Sequence, residues 1–421
     1  MKMKFIAVLL TIIASMTGCI EPGNIVSQTT KILPSGTGTS GNGGGTGGVI
    51  TKTDALFVAT YEGKETIFEL KDQSITKHTI LPEHTRFSSA VLINDKIYYS
   101  LESTRYDALG VSEVYELNVK TGVSKKISQF HNQLQYGVSS VAKAGNTLFA
   151  SVKSSTAGFE LHKYENGQWS LIKDIETGVV GSFPAFFIEL NQVSYFLAYQ
   201  VSSGMELWST SAGGKLHANI YSGSASSHVM PWFVKDGKII VTAKNPSSTN
   251  YDLYSVDEQG QFSKVVSANS AANGGANPLS VYPFKSGVVA NCHHDTSGRE
   301  LCVSSNLSGQ WKVIEINSGN MSSNPKFFVN YKDHVYFQAE GSKGIELYRS
   351  NGDTAELVND IKTGAESSYP ENLMVINDKL YFSAYDQQGP VFYSYDGTAL
   401  SKVTLDQKEI KFARSLLNPS R

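Results

Sequence analysis

From residue 54 onward, short runs of β-branched and aromatic residues alternate with turns rich in Asn, Asp and Gly. In the last full unit the apolar runs fall at residues 372–376, 380–384, 391–395 and 400–405. The turns between them include Asn377-Asp378 and Asp396-Gly397, which are typical of β-hairpins. No stretch of useful length carries a helical period of apolar residues. The pattern therefore predicts an all-β region in which each unit contributes four short strands.

The units recur about every 46 residues. Most of them contain an acidic residue at one fixed position, followed by Leu in all seven copies; these acidic residues are Glu69, Glu116, Glu160, Glu206, Asp252, Glu300 and Glu346. The spacings are 47, 44, 46, 46, 48 and 46 residues, and an eighth unit has 391–393 (Val-Phe-Tyr) where the next copy is expected. Four strands in such a period are typical of a β-propeller blade. The strand-forming composition excludes a helical solenoid of the same period.

The two ends of the repeat region complement each other. The first unit has three predicted strands, at 55–60, 66–70 and 75–81, and lacks the innermost one. The C-terminal residues 410–417 form one strand too many and resemble 86–93, the first strand of the second unit. We therefore predict an eight-bladed β-propeller over residues 54–421, closed by the C-terminal strand. Seven blades is the alternative, if one weak unit is an insertion.

Blades three to eight resemble the bacterial repeat family written ELWxxDGT. Residues 206–208 keep Glu-Leu-Trp, 396–398 keep Asp-Gly-Thr, and the segments between units, such as 361–370, resemble the family's inter-blade sequence. The other copies are degenerate, and the match covers about two thirds of the chain. The resemblance implies an extracytoplasmic propeller and implies no activity.

Residues 1–18 are predicted to be a lipoprotein signal peptide. Lys2 and Lys4 form a basic start, and residues 5–14 form a short apolar core. A helix of that length rises only about 15 Å, half the hydrocarbon thickness of a bilayer, so it does not span a membrane. The following Met-Thr-Gly-Cys sequence resembles the bacterial lipobox, with Met where Leu is usual. The resemblance implies cleavage before Cys19 and acylation of that residue.

An ordinary secretory signal with a coincidental Cys is the alternative. Several acyl chains would anchor the protein stably to a bilayer. In Gram-negative families, Ile20 rather than Asp after the modified Cys implies the outer membrane. Residues 19–53 are rich in Gly, Ser and Thr and are predicted to be a flexible tether. The predicted location is therefore the cell envelope, with the membrane as one partner.

The composition of the chain excludes nucleic-acid binding through a basic surface, intrinsic disorder and a disulfide-rich fold. The net charge of −2 excludes a broad basic field for nucleic acid. The chain is 40% hydrophobic and 11% aromatic, which is too apolar for a disordered protein. Three Cys are too few for a disulfide scaffold.

Cys292 and Cys302 are predicted to lie opposite each other in one hairpin centred on Ser297. Opposed residues share a face, with Cβ atoms roughly 4.5–5.5 Å apart, so we expect a disulfide in an oxidising compartment. The alternative is metal binding by residues 292–295 (Cys-His-His-Asp). Consecutive strand residues alternate between faces and cannot all reach one ion. No metal site is predicted.

The repeated acidic residue could form a ring of carboxylates or make one blade-locking hydrogen bond in every unit. A catalytic site is asymmetric, whereas a residue present in seven of eight units performs one role seven times. We therefore predict the structural role. No HExxH or GxSxG motif is present, and no catalytic residue or cofactor is predicted.

The candidate binding surface follows from blade geometry. With strands A to D counted from the centre outward, the B–C and D–A connections share one face and vary in length, while the A–B and C–D turns stay short. Aromatic and His side chains among polar neighbours suit contact with a protein or a glycan. The candidate binding residues are Arg105, Tyr106, His131, Tyr136, Tyr199, Tyr251, His293, His294 and Tyr385.

The sequence thus predicts a non-catalytic, lipid-anchored envelope protein that binds a protein or glycan through the long-loop face, as an adhesion or assembly scaffold. The alternative is a carbohydrate-active enzyme. That activity would need two acidic residues on inner strands within about 5–10 Å of each other. The predicted inner strands offer few carboxylates, Glu189 being one.

Overall fold

The structure is a computed structural model of the chain. It describes residues 55–71, 74–103, 112–128, 138–154, 156–244, 250–265, 277–294, 296–307, 310–319 and 321–417. Antiparallel strands, joined by tight turns and by longer crossings, form most of this part, and a 3-10 turn lies at Ser211–Gly213. Within these residues no helix has the length and apolar character needed to cross a membrane.

The strands follow one another at short intervals. The first blades contain β1 (Leu56–Tyr61), β2 (Lys64–Lys71), β3 (Ser74–Ile80), β4 (Thr85–Ile93), β5 (Lys96–Ser103), β6 (Ser112–Asn118), β7 (Ser124–Lys126), β8 (Val138–Ala144), β9 (Thr147–Ser154), β10 (Gly158–Glu165), β11 (Gln168–Lys173), β12 (Ala185–Leu190), β13 (Val193–Gln200), β14 (Gly204–Ser209) and β15 (Lys215–Ala218). The later blades contain β16 (Met230–Lys235), β17 (Lys238–Lys244), β18 (Tyr251–Val256), β19 (Phe262–Lys264), β20 (Leu279–Phe284), β21 (Gly287–His294), β22 (Gly298–Ser304), β23 (Lys312–Ile314), β24 (Lys326–Tyr331), β25 (His334–Gly341), β26 (Gly344–Ser350), β27 (Ala355–Asn359), β28 (Glu371–Ile376), β29 (Lys379–Asp386), β30 (Gly389–Tyr395), β31 (Leu400–Lys402), β32 (Thr404–Leu405), β33 (Lys408–Glu409) and β34 (Lys411–Ser415).

These strands form eight four-stranded antiparallel sheets, and each sheet is one blade. In blades 2 to 8 the four strands pair in chain order, for example β4-β5-β6-β7 and β28-β29-β30-β31. The first strands of successive blades contact each other, so they line the centre of the ring. The chain is an eight-bladed β-propeller, as the repeat predicts, and the seven-blade alternative is wrong.

The C-terminal strand completes blade 1, as predicted. Its sheet has the order β3-β2-β1-β34, and β34 pairs with β1 from Phe57↔Ser415 to Thr60↔Lys411. The Arg414 guanidinium donates to the Glu65 carboxylate (3.0 Å) and to the Phe87 carbonyl of blade 2 (3.1 Å). The last strand therefore binds to blades 1 and 2, from which it is far apart in sequence.

Apolar side chains pack between neighbouring blades. Between blades 8 and 1, the Phe57 ring lies 5.3 Å from both Phe68 and Phe392, measured between ring centroids. Such β-branched and aromatic contacts fill each blade boundary, so each blade buries its faces only against its neighbours.

One predicted strand is divided. The pattern predicts a single outer strand at 400–405, whereas β31 ends at Lys402 and β32 pairs with β33 in a separate hairpin. The chain must return here from the outer edge of blade 8 to the centre, where it supplies β34. The extra hairpin lies on that return path.

Candidate functional site

The two faces of the ring differ in their connections. Because the strands alternate in direction, the A–B and C–D turns share one face, called here the turn face. The B–C turns and the D–A crossings share the other, called here the crossing face. On the crossing face, a buried carboxylate in four blades holds the segment that leads into the next blade.

Each of these four carboxylates is fully buried and accepts hydrogen bonds from two parts of the crossing. The pairs of carboxylate and crossing residues are Glu160 with Ile175, Glu176 and Ser182, Glu206 with Ile220, Tyr221 and Ser227, Glu300 with Ile316 and Ser323, and Glu346 with Ile361, Lys362 and Ser368. In every case the Ser contributes both its backbone N–H and its hydroxyl. The predicted structural role is confirmed in these blades.

Burial is the largest influence on the pKa of these four carboxyl groups. It raises the pKa of Glu160 and Glu206 to about 7, although hydrogen bonds from the Ser hydroxyl and the backbone lower it in part. The pKa values of Glu300 and Glu346 are raised for the same reason. The donors that surround each carboxylate therefore offset only part of its lost hydration.

The expectation of one identical bond in every unit is wrong for three blades. Glu69 pairs with the buried His78 (3.0 Å), because the crossing from blade 1 to blade 2 has only four residues between its strands and cannot fold back onto the carboxylate. Glu116 binds lysines of its own blade, and Asp252 binds Lys264 of the outer strand (2.9 Å).

A group of exposed aromatic side chains lies on the crossing face at blades 8 and 1. Among the described residues, four Tyr, Phe and Trp side chains are exposed, and three of them are Tyr369 (50%), Tyr385 (37%) and Phe412 (40%). The Tyr385 and Phe412 rings are 6.1 Å apart and nearly perpendicular. The Tyr385 N–H donates to the carbonyl of Ser368, the residue before Tyr369 (2.7 Å). We call these three residues the mouth patch.

Local backbone geometry exposes the patch. Phe412 has φ +52° and lies at an irregularity in the pairing of β34 with β1. An irregularity of this kind redirects the side chain. Tyr369 also has a positive φ (+49°) and directly follows the Ser that Glu346 binds. Left-handed backbone costs non-glycine residues about 1 kcal/mol or more, so both positions depend on the surrounding contacts.

A hydrogen-bond network beside Tyr385 fixes the B–C turn of blade 8. The Asp386 carboxylate accepts from Lys402 (2.6 Å), from the Tyr393 hydroxyl (3.2 Å) and from the backbone of Gln388. Burial raises the pKa of Asp386, but Lys402 and these hydrogen bonds outweigh it and hold the pKa below its usual value. The turn that presents Tyr385 is therefore held by a charged residue.

The described candidate residues all lie on the crossing face, but they do not form one site. Tyr199 and Tyr385 occupy the same B-strand position in blades 4 and 8, on opposite sides of the ring. Tyr251 begins a C strand in blade 5 and is half-buried, and its N–H donates to Asn277. His293 and His294 end a B strand in blade 6.

Five of the residues predicted from the sequence lie outside the described residues: Arg105, Tyr106, His131, Tyr136 and Cys19. Conversely, sequence reasoning missed Tyr369 and Phe412. Tyr369 stands in the recurring Ser-Ser-x-Pro segment, which was a usable signal, but the exposure of Phe412 depends on an irregular backbone that no sequence pattern indicates.

The expected disulfide joins Cys292 and Cys302, whose Cα atoms are 5.9 Å apart. The predicted register is wrong by two residues, because the hairpin is centred on Thr296 and not on Ser297. Cys292 lies opposite Glu300 and Cys302 lies opposite Ala290, so the two Cys are diagonal neighbours on one face of the hairpin.

The two carboxylates on the described inner strands, Glu189 and Glu371, do not lie beside each other. Glu189 is near the turn-face end of β12, where it accepts from the Gly145 N–H (2.6 Å). Glu371 begins β28 at the crossing-face end. In the described part of the chain, no three His, Cys, Asp or Glu residues are grouped as metal ligands.

No protein-family model and no curated protein sequence matches this chain. Solved structures match the fold. Apo AztD from Citrobacter koseri is 9% identical, with a TM-score of 0.52, 85% of this chain covered and 96% of that one. A prolyl endopeptidase is 12% identical (TM-score 0.48, 81% and 55% covered). A puromycin-hydrolysing peptidase of Mycobacterium tuberculosis is 9% identical (TM-score 0.47, 76% and 53% covered). The chain spans about half the length of these two peptidases, and the likeness shows the fold alone.

Proposed function

We propose that this chain is a non-catalytic binding protein of the cell envelope, which contacts a partner through the mouth patch on its crossing face. The observation that carries the proposal is the grouping of three of the four exposed aromatic side chains at one place. Exposed apolar groups of this kind mark interaction sites on soluble domains. Aromatic residues are also enriched among the residues that dominate binding energy.

The geometry favours a protein partner over a glycan. Tyr385 and Phe412 pack edge to face, with an interplanar angle of 67°, so they form no flat platform for a sugar ring. Two ion pairs involve residues close in sequence to the rings: Asp386, next to Tyr385, pairs with Lys402, and Arg414, two residues after Phe412, pairs with Glu65. An apolar centre with a polar rim is the usual anatomy of a protein interface.

The envelope location rests on the sequence. The lipobox-like segment that ends at Cys19 supports lipid anchoring, and residues 19–53 would let the propeller turn toward a partner. The alternative of a carbohydrate-active enzyme has no support from the described inner strands, where Glu189 and Glu371 lie at opposite ends.

The test compares three proteins in capture from envelope extracts. They are the wild type, a triple variant (Tyr369→Ala, Tyr385→Ala, Phe412→Ala) and the control Phe262→Ala, which removes the fourth exposed aromatic residue on an outer strand. Captured proteins are identified by mass spectrometry, and affinity is then measured with the purified partner.

We expect the triple variant to lose about 30-fold or more in affinity, the loss of one strong hot spot, and the control to stay within about twofold. Equal capture by all three proteins would rule out the mouth patch. Capture of a purified envelope glycan by the wild type and not by the triple variant would overturn the choice of a protein partner.

A further inference from the structure

A cleft of about 370 Å³ opens on the turn face between blades 2 and 3. Ile93 and Tyr98 are buried and form its floor. Its walls are polar and consist of Asn94, Asp95, Lys96, Asn118, Lys120 and Asn146. The volume falls at the small end of the range for ligand sites, about 300–1,000 Å³.

Side chains bridge the corresponding position at most other blade boundaries. The bridges on the turn face are Glu189 to the Gly145 N–H, Lys235 to the Lys285 carbonyl, Lys285 to the Asn351 carbonyl, Lys332 to the Asp396 carbonyl and Asn377 to the Leu70 carbonyl. Between blades 2 and 3, the exposed Asn94 and Asn146 side chains make no hydrogen bond within the described part of the chain. The boundary therefore stays open, with two unused amides at its rim.

The charged groups of the cleft are already matched. Lys120 forms an ion pair with Asp95, and Lys96 forms one with Glu116 (3.1 Å). Burial, with Glu116 nearby, raises the pKa of Tyr98 to about 12, so its phenol remains neutral. The cleft thus offers amides, a carboxylate and ammonium groups as hydrogen-bond partners, without a free charge that would select an ion.

We propose that this cleft is a second binding site, which takes a neutral saccharide of one or two rings. Amide groups both donate and accept, so Asn94 and Asn146 can each serve a sugar hydroxyl, which also does both. The apolar floor suits the C–H face of a sugar ring. The site lies on the face opposite the mouth patch and does not depend on the partner proposed there.

The test is ligand-observed NMR of the full chain with a panel of neutral mono- and disaccharides at up to about 10 mM, about tenfold above a dissociation constant of 1 mM. The same panel includes inorganic phosphate and citrate. We expect at least one neutral saccharide to bind. The double variant Asn94→Ala, Asn146→Ala should weaken it about 25-fold, since each neutral hydrogen bond contributes about fivefold.

Two further variants keep the result interpretable. Asn146→Trp fills the cleft and should abolish binding, while Asn359→Ala, at an exposed asparagine on the outer strand of blade 7, should leave it unchanged. Each variant is first shown to melt like the wild type. Absence of saccharide binding, binding that survives both cleft variants, or binding of the anions alone would each overturn the proposal.

Discussion

Replacing Glu346 by Ala should loosen the crossing that presents Tyr369 and destabilise the ring. The carboxylate is fully buried and accepts from Ile361 N–H (3.1 Å), Lys362 N–H (3.3 Å) and both donors of Ser368 (3.2 and 2.5 Å). Removal breaks four hydrogen bonds, although both Ser368 donors also reach the Ile345 carbonyl (3.0 and 3.4 Å). At about 1 kcal/mol for each of the four bonds, the free energy of unfolding should fall by at most about 4 kcal/mol.

Two comparisons separate hydrogen bonding from packing. Glu116→Ala removes the equivalent residue of blade 2, whose partners are the exposed Lys96 and Lys125, and should cost about 1 kcal/mol or less. Glu346→Gln keeps the volume of the side chain but places an amide N–H₂ among donors. We expect it to fall between Glu346→Ala and the wild type. A simple loss of packing would leave the Gln variant like the wild type.

The assay is denaturant unfolding at constant pH, combined with hydrogen exchange of the Ile361 amide, which donates to Glu346. The Ala variant should shift the unfolding midpoint, and exchange at Ile361 should become faster than exchange in distant blades. The reasoning fails if Glu346→Ala and Glu116→Ala destabilise the protein equally, or if the Ile361 amide stays fully protected.

Further predictions concern closure, the disulfide and pH. Deleting residues 409–421 removes the strand that seals blade 1 and should unfold the ring or lower its Tm markedly, whereas deleting only 418–421 should not; equal Tm values would contradict the closure. Joint replacement of Cys292 and Cys302 by Ala should cost about 2–3 kcal/mol in denaturant unfolding, and no change would refute a stabilising bridge. Because burial raises the pKa of Glu206 to about 7, the folded protein binds more protons than the unfolded chain between about pH 4.5 and 7. The stability from this group therefore falls as pH rises through that window, and Glu206→Gln should flatten the pH dependence of unfolding.

The architecture was predictable because it is repetitive. A period near 46 residues, four apolar runs in the full units, three in the first unit and a surplus strand at 410–417 together predict a closed ring. Each of these signals can be recognised in a short stretch of sequence or by counting the units and their strands. The order β3-β2-β1-β34 follows from them without knowledge of any side-chain contact.

The site was less predictable because it depends on departures from the repeat. The pairing of Cys292 with Cys302 is diagonal, since the hairpin is centred on Thr296 and not on Ser297. Glu69 could not bind the next crossing because that crossing has four residues, whereas the crossing that Glu346 binds has eleven. Both outcomes depend on where individual strands begin and end, which an average period of about 46 residues does not specify.

The position of the mouth patch follows from the closure itself. In blades 4 and 7, Phe186 and Phe327 also have positive φ at the corresponding irregularity of the inner strand, but both are half-buried against neighbouring blades. In blade 1 the same position belongs to β34. The β32–β33 hairpin precedes β34, in place of a crossing held by a buried carboxylate. Phe412 is therefore left exposed next to Tyr385. If all eight blades were equivalent, a partner that binds only once would have eight equal positions. The boundary between blades 8 and 1 differs from the other boundaries, so it is the best candidate for a single binding site.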